Sequence, residues 1–264
     1  MARTRARKLV DLWSGLIREH ELITYASAIA FRALVALVAL VLLAVAVLGE
    51  IGRTDVWTRQ IGPHIRGKVL PDVYAGINEV VEKIFHTSSV GLIVLATVIA
   101  ILQIAGVVST CTAAISRIYG QKDDRSWKDR SPISFGISVV LTAALLGAIL
   151  LGTAARTAVH GGWSIPFTIL RWLVAAILIG LAFGMLVRFT PPRPRSKRWV
   201  SAGATLVVVG WVVQSLIFAE YLSLASYRSA ALSLLGAYFL MTYLFVGAIV
   251  LLVGIELDEL ARKP

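Results

Sequence analysis

The sequence predicts an all-α fold: a polytopic membrane bundle of six transmembrane helices with short amphipathic helices on its surface. Three observations carry this reading. The 264-residue chain is 58% hydrophobic and has a mean hydropathy of +0.80, whereas a soluble domain is about half apolar. Its apolar residues gather into blocks that reach the roughly 20 residues needed to cross a hydrocarbon core about 30 Å thick. Its basic residues, which give a net charge of +11, sit in the short segments between those blocks, as expected where charge sets membrane orientation. A soluble protein this basic would suggest nucleic acid, but the placement of the charge argues against that partner.

Taken in order, Arg3, Arg5, Arg7 and Lys8 precede Leu9, Val10, Leu12, Trp13, Leu16 and Ile17 at helical spacing. Residues 1–23 are therefore predicted as a cytoplasmic amphipathic helix on the membrane surface, its basic side toward anionic headgroups. The first span covers about 24–48. Ala44-Val45-Ala46 mimics a signal-peptidase site, but an apolar stretch of about 25 residues exceeds a signal peptide's 7–15, so it reads as a retained anchor. Residues 49–87 are punctuated by Gly62, Pro63, Gly67 and Pro71, and then carry Val73, Ile77, Val80, Val81, Ile84 and Phe85 on one helical face. They are expected to form extracytoplasmic amphipathic helices.

The second span, about 88–116, holds Gln103 near its midpoint and a polar run from Ser109 to Thr112. A charged loop, 117–132, leads to the third span, about 133–156. Gly161, Gly162 and Pro166 mark a tight turn before the fourth, about 167–188, which carries Gly180 and Gly184 at a spacing that lets helix backbones approach. The prolines of the loop 188–199 end one helix and delay the next. The fifth span covers about 199–222 and the sixth about 231–256, and the whole chain, 1–264, reads as a single membrane domain.

With the amino terminus inside, the inner segments 1–23, 117–132, 188–199 and 257–264 hold 17 Lys and Arg; the outer segments hold 8, and Arg32 lies within the first span. Five of the outer eight belong to the one long loop. The positive-inside rule then places both termini in the cytoplasm of a multi-pass protein of the bacterial plasma membrane.

Charged and amide side chains inside spans are costly and mark candidate sites. Arg32 and Glu256 lie toward the inner ends of the first and sixth spans; they suit a structural ion pair or snorkelling on one reading, a substrate path on the other. Gln103 and Gln214 lie near midplane and are either interhelical glue or part of the same path. Arg156, Arg171, Glu220 and Arg228, with His160, form a candidate outer vestibule for a phosphate or carboxylate headgroup; the alternative is a solvated rim. The single cysteine, Cys111, excludes an intrachain disulfide and suits helix packing.

No CxxC, HExxH, GxSxG or Walker pattern is present. His20, His64, His86 and His160 lack metal-ligand spacing. Catalytic residues, a metal and cofactors are therefore not expected, and the chain does not read as an enzyme. Any transport would draw on a gradient or a partner.

Three stretches resemble a known family. The first span, with Tyr25-Ala-Ser-Ala-Ile-Ala-Phe31-Arg-Ala-Leu34, is similar to the opening span of the YihY/BrkB membrane proteins. Phe189-Thr-Pro-Pro-Arg193-Pro-Arg-Ser-Lys-Arg-Trp199, with Gly203-Ala204 and Gly210-Trp211 after it, resembles that family's loop and fifth span. Gly254-Ile-Glu256-Leu-Asp-Glu-Leu260 resembles its closing Gly-Ala-Glu-Leu pattern. The chain departs from the family at Ala39, where a proline is usual, at Met241, where tryptophan is usual, and at Ile255.

The resemblance implies a six-helix inner-membrane protein from a family linked to virulence, transport and envelope lipid traffic. An older label, ribonuclease BN, travels with the family; the acidic residues here are not grouped as metal ligands for phosphodiester hydrolysis, so ribonuclease activity is not expected. Two functions stay open: a transporter or flippase-like protein for a lipid or other amphiphile in envelope biogenesis, and a non-transporting scaffold or partner subunit in envelope assembly. Expected partners are membrane lipids, with anionic headgroups at the basic cytoplasmic loops, and either a second copy of the chain or an envelope protein.

Overall fold

The computed structural model describes residues 20–87, 90–120, 127–154, 173, 174, 177, 202–224 and 230–261. Every regular element among them is helical: α1 (Leu22–Glu50), a π-helical turn (Val56–Ile61), α2 (Gly62–Arg66), α3 (Pro71–Thr87), α4 (Val90–Ile118), α5 (Trp127–Ala154), α6 (Ala202–Leu224) and α7 (Ala230–Leu260). The predicted amphipathic helix before residue 20 lies outside the described residues.

Four described helices are long and apolar enough to cross a membrane: α1, α4, Ala202–Tyr221 of α6 and Leu235–Leu260 of α7. In α5 the described apolar stretch, Phe135–Leu150, is shorter than a full span. The predicted fourth span lies outside the described residues except for Leu173, Val174 and Ile177, and so do Gly180 and Gly184.

α1 is the centre of the bundle. It packs against α4 and α7 most extensively and also meets α3 and α5. Its 29 residues span roughly 43 Å, unbroken at Ala39, where a proline would have removed a helix hydrogen bond. Lipid tails are as apolar as leucine, so apolar surface alone does not drive helices together in a bilayer; close packing does. Ala26, Ala30 and Ala36 of α1, Ala114 of α4 and Ala248 of α7 are all buried, and their small side chains let the backbones approach.

The packing is uneven along the bundle. At one end, α1 begins while α4 and α7 finish, and Ile115, Ile118, Leu252 and Ile255 close a core around Leu22 and Ala26. Arg117 at the end of α4 meets Glu21 at 3.7 Å, and the Gly203 N–H near the start of α6 donates to Asp258 Oδ1 near the end of α7 at 2.8 Å. The opposite end is looser, with a small core of Ala39, Leu43 and Ala100. There Val94, Leu95, Val98 and Leu102 of α4 are exposed.

The segment after α1 returns toward the bundle as short helices. Trp57, buried, donates from Nε1 to Asn78 Oδ1 at 2.9 Å, and Asn78 Nδ2 donates to Glu82 Oε1 at 2.7 Å. These bonds tie the π-helical turn to α3. Pro71 begins α3 at a position where its missing N–H costs nothing.

Candidate functional site

Polar chemistry inside the described bundle falls at three places. The first is at the closed end. Glu256, on α7, is 1% exposed, and its Oε2 lies 2.8 Å from His20 Nδ1, whose residue immediately precedes the turn into α1. Between them Glu21 adopts the left-handed conformation, φ 53° and ψ 37°, which costs an L-residue about 1–2 kcal/mol. That bend lets the chain enter α1 with His20 beside Glu256. Buried hydroxyls also lie along α4 and α5, but Thr110, Thr112 and Thr142 each donate to the carbonyl four residues earlier, at 2.9, 2.7 and 2.7 Å. Their polarity is absorbed within their own helices. Ser116 Oγ is buried with no hydrogen-bond partner among the described residues.

The second place is where α1 meets α4. Arg32 lies ten residues after Leu22, roughly 15 Å along the helix, and its side chain is exposed on the bundle surface. Its Nη1 donates to the Gly106 carbonyl at 2.8 Å, and that same oxygen accepts from Thr110 Oγ1 at 2.9 Å. Gly106 has no side chain to hold the guanidinium off: a Cβ there would lie 3.5 Å from Arg32 Nη1.

The third is the α6–α7 hairpin. Gln214 Nε2 donates to the Tyr243 carbonyl at 2.6 Å, Trp211 Nε1 donates to the Gly247 carbonyl at 3.0 Å, and Ser215 Oγ lies 3.0 Å from the Tyr243 hydroxyl. Gln214 Oε1 is buried without a partner among the described residues. The hairpin closes on glycines seven apart on both helices, Gly203 and Gly210 against Gly247 and Gly254. A Cβ at Gly203 would overlap the Gly254 carbonyl, and one at Gly210 would lie 2.7 Å from Val250 Cγ1.

An apolar cleft lies at the looser end, between α1, α3 and α4. Ala39 and Ala46, Ile84, and Leu92, Ala96 and Ile99 line it, and its volume is about 170 Å³. A second shallow cleft adjoins it through Ile84 and Leu92 and adds Val80, Lys83 and Thr87. The α1–α4 seam runs antiparallel in steps of seven residues: Arg32 meets Gly106, and the seam continues through Ala39 and Ile99 to Ala46 and Leu92.

The sequence profile of the family described as virulence factor BrkB matches residues 15–263. The chain belongs to the BrkB family. A curated relative, the putative ribonuclease-like protein YfkH of Bacillus subtilis (strain 168), is 23% identical over 203 residues, covering 72% of this chain and 74% of its own length. No solved structure matches the chain. With its apolar helices, this BrkB-family chain is a multi-pass membrane protein.

The four substrate-path candidates of this BrkB-family protein are not hydrogen-bonded to one another. Arg32 and Glu256 do not pair: Arg32 turns to Gly106 and Glu256 to His20. Gln214 is held by Tyr243, and Gln103 is half-buried on α4. Neither apolar cleft includes any of the four. Of the vestibule set, Glu220 is exposed on α6; Arg156, His160, Arg171 and Arg228 lie outside the described residues. Among the described residues no group of three or more His, Cys, Asp or Glu could hold a metal ion. His20 and Lys83 are absent from the sequence-level set. The clue to His20 was available, since a carboxylate as deep as Glu256 requires a partner from the same end of the bundle.

Proposed function

We propose that this protein is a transporter or flippase-like protein for a lipid or other amphiphile of the bacterial plasma membrane, working without catalysis, with both termini cytoplasmic. The observation that carries the reading is Arg32. Arg32 sits about a third of the way along α1, short of the helix centre where an arginine costs about 2.5–3.5 kcal/mol on an insertion scale, and a hydrogen bond from a charged donor returns about 1.5–3 kcal/mol. The Gly106 contact engages one guanidinium N–H and leaves the others to face outward from the bundle. An exposed guanidinium with further donors suits an anionic headgroup passing along the α1–α4 seam.

Six spans fit this reading. α4 finishes and α6 begins at the closed end, which supports the reading of an even number of crossings between them. The 28-residue α5 supports two crossings there, α5 and a return over about 167–188. The basic segments gather at that same end, which supports a cytoplasmic placement.

The test is movement of a fluorescent phosphatidylglycerol analogue across liposomes containing the purified full chain. The expected result is movement above protein-free vesicles, reduced about tenfold or more in Arg32→Gln and partly kept in Arg32→Lys, a change of at least about 1.4 kcal/mol in the barrier. Folded protein that moves no labelled lipid or solute under any gradient refutes the proposal.

A second reading, a scaffold or partner subunit in envelope assembly, is favoured by α6. Among the helices described, α6 packs chiefly on α7, and Val208, Val209, Val212, Val213, Leu216 and Ile217 are exposed. In-membrane crosslinking from this face should then recover a stable partner or a second copy; recovery of lipid alone excludes it.

A further inference from the structure

We propose that the cleft between α1, α3 and α4 is a binding site for an anionic phospholipid, with one acyl chain between the helices and the phosphate at Lys83. The inference rests on the amphiphile reading and deepens it, naming the ligand class and a place where it is held.

Three features select this occupant. The first is shape. Ala39, Ala46 and Ala96 are the small residues of the lining, and Ile84, Leu92 and Ile99 supply larger walls. The stretch from Ala39 to Ala46 runs roughly 10 Å along α1, which makes the cleft an elongated slot suited to a run of methylenes. It lies where the bundle is loosely closed, beside exposed Val94, Leu95 and Val98 of α4, so a lipid chain reaches it sideways from the bilayer without crossing protein.

The second is charge. Lys83 lines the adjoining cleft with Thr87 at the end of α3. Its side chain is exposed, and among the described residues it makes no ion pair. Two carboxylates lie close in the helix, Glu79 one turn before and Glu82 beside it, but neither is within ion-pair distance of Lys83 among the described residues, and Glu82 accepts from Asn78, which is itself held by Trp57. With its carbon stem along the mouth of an apolar slot and a flexible ammonium able to reach past it, Lys83 is complementary to a phosphate whose tail lies inside.

The third is depth. α3 is an amphipathic helix that buries Val81 and leaves Val73, Ile77 and Val80 exposed, and Ile84 is shared by both clefts. The mouth therefore sits at the level of an interfacial helix while the slot continues along spanning helices. Headgroup and tail thus meet polar and apolar protein in the order a bilayer lipid presents them.

The test uses the full chain purified in detergent and titrated with tail-labelled phosphatidylglycerol, with phosphatidylcholine and glycerol phosphate as competitors. Expected is saturable phosphatidylglycerol binding that glycerol phosphate does not displace. Ala96→Trp, which fills the slot, should weaken it about tenfold. Lys83→Glu, on an exposed residue whose change leaves the fold intact, should weaken phosphatidylglycerol about fivefold and leave phosphatidylcholine unchanged. Ala46→Leu fills the slot more gently and serves if the tryptophan variant does not fold. The proposal is overturned if glycerol phosphate competes as well as the lipid, or if Lys83→Glu and Ala46→Leu both bind as the parent does. Binding at the cleft without transbilayer movement keeps the site and refutes transport. Movement that survives Lys83→Glu and Ala46→Leu unchanged keeps transport and refutes the site.

Discussion

The His20–Glu256 contact joins two ionisable side chains that are 13% and 1% exposed. Removing one partner from a buried pair costs more than the pair contributes, because the survivor keeps its desolvation penalty. Glu256→Ala is expected to lower stability by about 2–4 kcal/mol, since it deletes a charge-assisted hydrogen bond and leaves a cavity in the core. Glu256→Gln keeps an oxygen able to face the ring and should cost about half as much. A double-mutant cycle with His20→Ala, read by thermal unfolding in detergent, should give a coupling of about 1–3 kcal/mol; strictly additive losses would show that the contact does not hold the helices. Arg32 and Glu256 could be found in the sequence because a charge in an apolar block is conspicuous. His20 was hidden because it sits among the polar residues before the block, where a histidine is unremarkable. Its role depends on the bend at Glu21, which no local pattern announces.

Helix–helix contact shows most plainly in the α6–α7 hairpin, which depends on backbone proximity at Gly203 and Gly254. A Cβ at Gly254 would overlap Val207 Cγ2 and lie 2.8 Å from the Gly203 carbonyl. Gly254→Ala and Gly203→Ala should therefore each destabilise by about 1–3 kcal/mol through overpacking. Gly76→Ala is the contrasting control. It lies inside α3 with nothing within 4 Å of a Cβ, so alanine should stabilise by about 0.5–1 kcal/mol. Equal melting shifts in the three variants would contradict this account of the seam. The seven-residue glycine spacing on both helices was present in the sequence. It reads as a contact only once α6 and α7 are seen antiparallel with Gly203 opposite Gly254. The long α1 and α4, by contrast, follow directly from uninterrupted apolar blocks. The cleft did not, because three helices must be placed before any concavity exists.

Across the whole molecule, the bundle is closed at one end by core packing, the His20–Glu256 contact and the Gly203–Asp258 bond, and is looser at the other. The proposed topology puts the closed end at the cytoplasm. A Cys111→Ser background carrying Ala261→Cys should react with an impermeant thiol reagent only after the membrane is opened. The same background with Asp72→Cys, on exposed α3, should react in intact cells. Reaction of the Ala261→Cys variant in intact cells would invert the topology. Composition and loop charge made the membrane class readable from sequence alone. The division into a tight and a loose end was not readable, because it depends on which apolar residues face protein and which face lipid, and hydropathy scores both alike.

α1 has a partner that does not yet exist when it is made. Its long contact with α7, sealed by a hydrogen bond between residues 236 positions apart, must wait while the intervening chain is synthesised, roughly 10–50 s at ordinary elongation rates. Until then its α7-facing side is shared with lipid or with the insertion machinery. The arrival of Glu256 beside His20 thus closes this end of the bundle, and a nascent chain arrested before α7 would leave α1 open to quality-control proteolysis.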